Sequence, residues 1–469
     1  MQKLISKYGL AAHLALLSVA PLFLFSFCGA WQTGIALVWL SLTGAIWLFL
    51  EPSRRNGEML HQARVRVARA VFSDPLFWLF VVLSAFAALR WANGGVALAY
   101  DAAEGRWSIA RPSMPWFPGH ASGEGFLQFA AVLALAVVVE GCRHALGKSA
   151  RTSYLFTSSF LAGIAAVAVT WAARGGVQGA VDAMDNSVLS PSFAGCAFGL
   201  HALGGIVALA GMLECKWNKA LLLFSFAAGA PAAGLFYTAP TAVTLAFAAV
   251  ALVVAVGSSV YLWFSLRPPD VLKFVVGLFI AAAVPVFLAV CVVPQAFTDA
   301  RLAFFRGDGL FPDGFWEMRA RLSEIAKAAW SGNLWGGSGI GAFPLEARFA
   351  ATDADWQAWS AGVPKGALNG WWLLLAERGI FGVVAIAVPF CFMVYSFVRR
   401  LVGAIGRHSF LPLCGLGPVA VAVVAAEAAI DASFLRPEAL LALGAFFALS
   451  ASAFPPPRRD AGNEGEQAA

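Results

Sequence analysis

Residues Phe297 to Ala385 read FTDARLAFFRGDGLFPDGFWEMRARLSEIAKAAWSGNLWGGSGIGAFPLEARFAATDADWQAWSAGVPKGALNGWWLLLAERGIFGVVA. Charged residues, Gly and Pro recur up to position 376, and from Glu377 onward the chain becomes almost continuously apolar. The remainder of the sequence consists mainly of long apolar runs joined by short polar turns. Charged chemistry is therefore concentrated in this one excursion.

Over 469 residues the chain is 60% hydrophobic and 12% charged, with a mean hydropathy of +0.75. A soluble domain carries about a quarter charged residues. Apolar stretches of ~20 residues cross the hydrocarbon core as helices, which satisfy every backbone group internally. The alternating pattern of a membrane barrel is absent. The expected fold is an all-α integral membrane protein, a polytopic bundle of about twelve transmembrane helices with one large outer loop. The predicted spans are 9–28, 31–50, 75–95, 126–142, 153–173, 197–213, 219–237, 242–265, 274–296, 377–398, 410–430 and 438–454. Pro231 and Pro240 interrupt the apolar run 219–265, which is split into a tight hairpin. The start MQKLISKYGL resembles a signal peptide, but further apolar segments follow at once, so it reads as a retained first span.

Lys and Arg accumulate in alternate connections: Lys3 and Lys7, Arg54 to Arg69, Arg143 to Arg151, Lys216, Arg267 and Lys273, and Arg399 to Arg407. Cytoplasmic loops carry this excess, which places both termini in the cytoplasm and residues 297–376 outside it. Four regions follow: a transmembrane bundle over 1–296, the outer loop 297–376, C-terminal spans over 377–454 and a polar, disordered cytoplasmic tail over 455–469. The formal charge of +6 arises from residues dispersed between spans, so it marks topology and not a nucleic-acid surface. Seven cysteines lie in or beside apolar runs without CxxC spacing, indicating neither a disulfide framework nor a metal site. No cofactor is expected.

Within the loop, FWEMRARLSEIAKAAW (Phe315 to Trp330) contains no Gly or Pro and aligns Met318, Leu322, Ile325 and Ala329 on one helical stripe. Glu317 and Glu324 flank Arg321 at helical spacing, so Arg321 reads as a surface ion pair. Arg319 has no acidic neighbour one turn away; it lies between Trp316 and Trp330. Two readings fit: a guanidinium that grips a phosphate or diphosphate, or an interfacial arginine reaching to lipid headgroups. Gly337, Gly339 and Gly341 punctuate the next segment, either as a turn or as an anion-cradling run of amides. Asp353, Asp355, Arg348 and Lys365 lie among Trp356 and Trp359, either as a sugar-holding set or as a solvated loop. Glu377 falls at the membrane boundary, where a partner such as Arg378 is expected.

The order Arg319, Trp330, Gly337-Ser-Gly339-Ile-Gly341-Ala-Phe343, then Ala367-Leu368-Asn369 and Glu377-Arg-Gly379-Ile-Phe-Gly382 resembles the signature region of the O-antigen ligase and O-antigen polymerase family. In that family an Arg-bearing helix leads to G-x-G-x-G-x-F, and A-H-N then E-x-G-x-x-G open the next span. The resemblance implies a metal-independent, inverting glycosyltransferase. Its donor is an undecaprenyl-diphosphate-linked glycan, and its acceptor a lipid-anchored sugar, a glycan chain or a protein hydroxyl. Arg319, with Arg348, is then expected to hold the diphosphate, and Gly337, Gly339, Gly341 and Asn369 to complete the substrate site, in a bacterial inner membrane.

Two positions depart from the family pattern. Leu368 stands where the family has His, the group that accepts the acceptor's proton. Near Thr238 to Thr241, an Arg common in the family is missing. The candidate replacement bases are Glu377 and His120, the one histidine in an outer loop; Glu427 and Asp431 also approach the outer boundary. The alternative reading is a catalytically inactive scaffold or lipid-glycan binding protein. A transporter is disfavoured, since no two similar halves are visible.

Overall fold

A computed structural model describes residues 2–52, 58–93, 97–101, 106–110, 123–171, 195–238, 241–265, 268–292, 314–358, 367–403, 411–429 and 435–453. Its helices are α1 (Gln2–Phe27), α2 (Ala30–Leu50), α3 (Leu60–Phe72), α4 (Pro75–Ala92), α5 (Gly123–Glu140), α6 (Lys148–Trp171), α7 (Gly195–Glu214) and α8 (Leu221–Thr238). There follow α9 (Thr241–Ser265), α10 (Pro268–Val292), α11 (Phe315–Gly332), α12 (Phe343–Ala350), α13 (Asp353–Ala358), α14 (Gly370–Gly403), α15 (Leu411–Ala428) and α16 (Pro437–Ala453).

Among the described residues, eight helices are long and apolar enough to cross a membrane, and three shorter apolar helices accompany them. The architecture is that of a multi-pass membrane protein. Each segment predicted as a span overlaps one of these helices or α8. The division of 219–265 into two helices also appears, as α8 and α9.

Helix α7 is the post around which the bundle is built. Every residue from Gly195 to Leu213 is buried, enclosed by α6, α8, α9, α10, α15 and α16. Small side chains make this possible. A Cβ on Gly205 would sit 2.5 Å from Ala228 Cα of α8, so the two backbones approach as only glycine allows. The outer helices are reversed in character. Leu252, Val253, Val256 and Trp263 of α9 and Leu272, Phe279 and Phe287 of α10 are exposed, as suits contact with acyl chains.

Four features depart from the expectation. An antiparallel hairpin, β1 (Ala97–Asp101) and β2 (Arg106–Ala110), pairs Ala97 with Ala110 and Asp101 with Arg106, so the chain is not wholly helical. The basic connection 60–72 is a helix, α3, which buries Ala63, Val67 and Val71 at four-residue spacing, leaves Arg69 exposed and pairs the half-buried Arg66 with Glu58. Helix α14 begins at Gly370, two turns before the predicted boundary at 377. In α11 the buried residues are Leu322, Ile325 and Ala326, whereas Met318 is exposed. The tail 454–469, residues 297–313 and 359–366, His120 and Asp431 lie outside the described residues.

Candidate functional site

The glycine turn and the start of α14 form one interlocked joint. At Gly379 the backbone of α14 leaves the helical region, with φ 60° and ψ −169°, a conformation restricted to glycine. Residues on either side of this break need partners outside their own helix. Ile380 N–H donates to Leu334 O and Phe381 N–H to Trp335 O, each at 3.0 Å. In return Ala376 O accepts Ser338 N–H (2.7 Å) and its hydroxyl (2.9 Å), and Glu377 O accepts Gly339 N–H (3.0 Å). A Cβ on Gly337 would lie 2.5 Å from Glu377 C, and one on Gly379 2.4 Å from Gly337 N. The two segments pack backbone against backbone.

Two further helices bind this joint. Arg90, 3% exposed at the end of α4, donates from Nη2 to Glu377 O (2.9 Å) and Gly336 O (3.1 Å), and from Nη1 to Arg378 O (3.4 Å). One guanidinium thus serves three carbonyls on both sides of the joint. Arg378 donates to Gln128 Oε1 of α5 at 3.0 Å.

The glycines have positive φ, 69° at Gly337, 110° at Gly339 and 76° at Gly341. Their amides are occupied from within the chain: Gly337 N–H by Asn333 O (2.9 Å), Gly339 N–H by Glu377 O, and Gly341 N–H by Glu377 Oε1 (3.0 Å). The turn does cradle an acidic group from within the chain, the Glu377 carboxyl, which also accepts the Phe343 N–H. The expected Arg378 acts on Glu377 through its charge, as does the incoming Arg90, while the hydrogen bonds to this carboxyl come from peptide amides. Glu377 is 8% exposed and fixes the joint.

Asn369 caps α14, its Oδ1 accepting Trp371 N–H (3.1 Å) and Trp372 N–H (3.3 Å). Leu368 packs against the core. Arg348 is exposed on α12. On α11, which packs against α14, Arg319 lies over the Trp316 ring (5.6 Å) and donates from Nε to Ala429 O at the end of α15 (3.1 Å), with Nη2 on the same oxygen. Among the described residues no carboxylate pairs with it. Two of its five donors thus converge on one acceptor.

Arg321 keeps Glu324, one of its two expected neighbours, and gains a nearer partner from outside its helix. Its Nη2 meets Asp355 Oδ2 at 3.0 Å, with Glu324 at 3.6 Å as the weaker neighbour and no bridge to Glu317. Asp355 also accepts the Thr352 N–H (2.7 Å) and hydroxyl (2.8 Å). The Arg321 hydrogen bond, then the Thr352 amide, hold the Asp355 carboxyl down at about 2. Asp355 therefore pins α13 to α11, and a sugar-holding role falls away from it.

Arg90 was absent from the predicted site. The signal was available: an arginine inside FWLFVVLSAFAALRWA, where a charge is costly unless it has a task. No family model matches this sequence, and no curated protein is significantly similar to it.

Proposed function

We propose that the chain is an O-antigen ligase-like membrane glycosyltransferase that moves a glycan from an undecaprenyl-diphosphate carrier to a lipid-linked or glycan acceptor. It would reside in the bacterial inner membrane, cross it about twelve times and keep both termini in the cytoplasm. One observation carries the reading. The two sequence segments on which the resemblance rests, 337–343 and 376–382, are hydrogen-bonded to one another through Ser338, Gly339 and Gly341 on one side and Ala376 and Glu377 on the other, which supports reading them as a unit and not as two chance matches. Arg319 stands on the helix docked beside that unit, with no carboxylate against it and donors left for a phosphate oxygen. In this role it neutralises the departing diphosphate as the bond from the anomeric carbon to the phosphate oxygen breaks, while an acceptor hydroxyl attacks that carbon from the opposite face and its proton passes to the released diphosphate or to water.

Leu368 supports a second reading. An aliphatic side chain packed on the core cannot accept a proton, which favours a family member that binds lipid-linked glycan without turning it over.

The test is glycan transfer to the envelope in a bacterial strain lacking its own ligase. Transfer by the unaltered chain that is lost in Arg319→Ala, with membrane levels and thermal stability unchanged, is the expected result. Transfer that survives Arg319→Ala overturns the assigned role of the guanidinium. No transfer by the unaltered chain, with transfer gained in Leu368→His, selects the binding protein.

A further inference from the structure

At the end of α4 away from Arg90, Asp74 heads the helix, about 24 Å distant at 1.5 Å per residue. Its Oδ1 accepts the Leu76 N–H at 3.0 Å, an N-cap preceding Pro75. Its Oδ2 faces the neighbouring end of α5. There the α-helix widens into a π turn over Gly141–Ala145, a local irregularity that often serves a functional site. The turn presents Glu140, Arg143 and His144 to Asp74. His144 Nε2 lies 2.8 Å from Asp74 Oδ2 and 3.4 Å from Glu140 Oε2. Arg143 Nη1 lies 2.5 Å from Asp74 Oδ2 and 3.9 Å from Glu140 Oε1.

Glu140 is the anomaly. It is 2% exposed, and neither carboxylate oxygen accepts a hydrogen bond. A buried carboxylate in that condition costs several kcal/mol unless something neutralises it. Arg143 does not suffice, since it sits on Asp74. Arg400 also faces Asp74 and Arg143, but it donates to Ala451 O at 3.1 Å, and among the described residues no guanidinium hydrogen-bonds Glu140.

We propose that Asp74, Glu140 and His144 bind one divalent transition-metal cation. One donor atom from each of the three lies within 4.8 Å of the others. The 2.8 and 3.4 Å separations around His144 bracket the ~3 Å edge of a coordination shell with bonds near ~2.1 Å. An imidazole among carboxylates selects manganese, iron or zinc over magnesium or calcium. Asp74 Oδ1 keeps its cap on α4, so binding leaves that helix end intact. Arg143 also reaches Ser396 Oγ of α14 at 3.5 Å, a second acceptor for it beside a bound ion. The ion would tie α4 to α5 at the end opposite the glycine joint, with Arg143 linking that corner to α14, independently of the transferase reading.

Mn²⁺ titrated into the purified, chelator-stripped full chain in detergent, followed by electron paramagnetic resonance, tests the site. One Mn²⁺ per chain, nitrogen modulation in the spin-echo signal, and a rise in thermal midpoint with Mn²⁺ but not Mg²⁺ are expected. Glu140→Gln and His144→Gln should each weaken binding about tenfold or more. Should a variant fail to fold, the nitrogen modulation in the unaltered chain decides. No Mn²⁺ bound at millimolar concentration, binding without a nitrogen ligand, or binding undiminished in both variants overturns the proposal. A carboxyl proton would then be the occupant.

Discussion

Helix α4 carries a buried charged group at each end, and the two are treated in opposite ways. Arg90 meets three carbonyls that a broken helix and a glycine turn leave available, so its burial is matched by donors and acceptors that converge. Asp74 meets a guanidinium and an imidazole, yet the carboxylate beside it, Glu140, has no hydrogen bond. A polar cluster closed upon itself is structural mortar. One that retains an unmet valence has room for a guest.

The sharpest way to break this contrast is to attack the closed end. Gly379→Ala forces a Cβ into Trp335 O and Gly337 N in a backbone region that L residues avoid. Together with Arg90→Gln, which takes the guanidinium away from three carbonyls, it should lower stability by about 3 kcal/mol or more in each case. Thermal unfolding in detergent measures this; an unchanged midpoint would show that the joint does not hold the fold. At the open end, Glu140→Gln in metal-free protein should leave stability within about 1 kcal/mol, or raise it, because an unmatched buried charge is removed. A fall as large as that of Arg90→Gln would mean that Glu140 is already satisfied.

The smallest effect belongs to the ion pair that fastens α13, whose arginine is partly open to solvent. Arg321 holds the Asp355 carboxyl at about 2, below its ordinary 3.8. A depressed carboxyl contributes stability that is complete above 3.8 and is lost as pH falls through about 2. The midpoint difference between the unaltered chain and Asp355→Asn should therefore be constant above pH 5 and shrink between about pH 4 and 2. With Arg321 more than a third exposed, screening keeps the difference modest. A difference that does not vary with pH would remove the ion pair from the account.

The spans were legible because hydrocarbon length imposes runs of apolar letters. Helix α3 was hidden by Arg64, Arg66 and Arg69, which read as loop charges although Ala63, Val67 and Val71 repeat every four residues. The glycine turn could be located, but the partner of Glu377 could not. A peptide amide contributes no letter of its own, so a carboxylate satisfied by backbone looks the same in sequence as one awaiting an arginine. Asp355 illustrates the complementary limit. Helical spacing offered Arg321 two neighbours on α11, and folding brought a third from thirty-four positions away.

Helix α7 is screened on all sides by protein, so its length answers to its neighbours and not to the bilayer. The lipid-clad helices α9 and α10 feel any change in acyl-chain thickness directly and can accommodate it by leaning. A thicker or thinner membrane would accordingly tilt the rim of the molecule about a stationary hub.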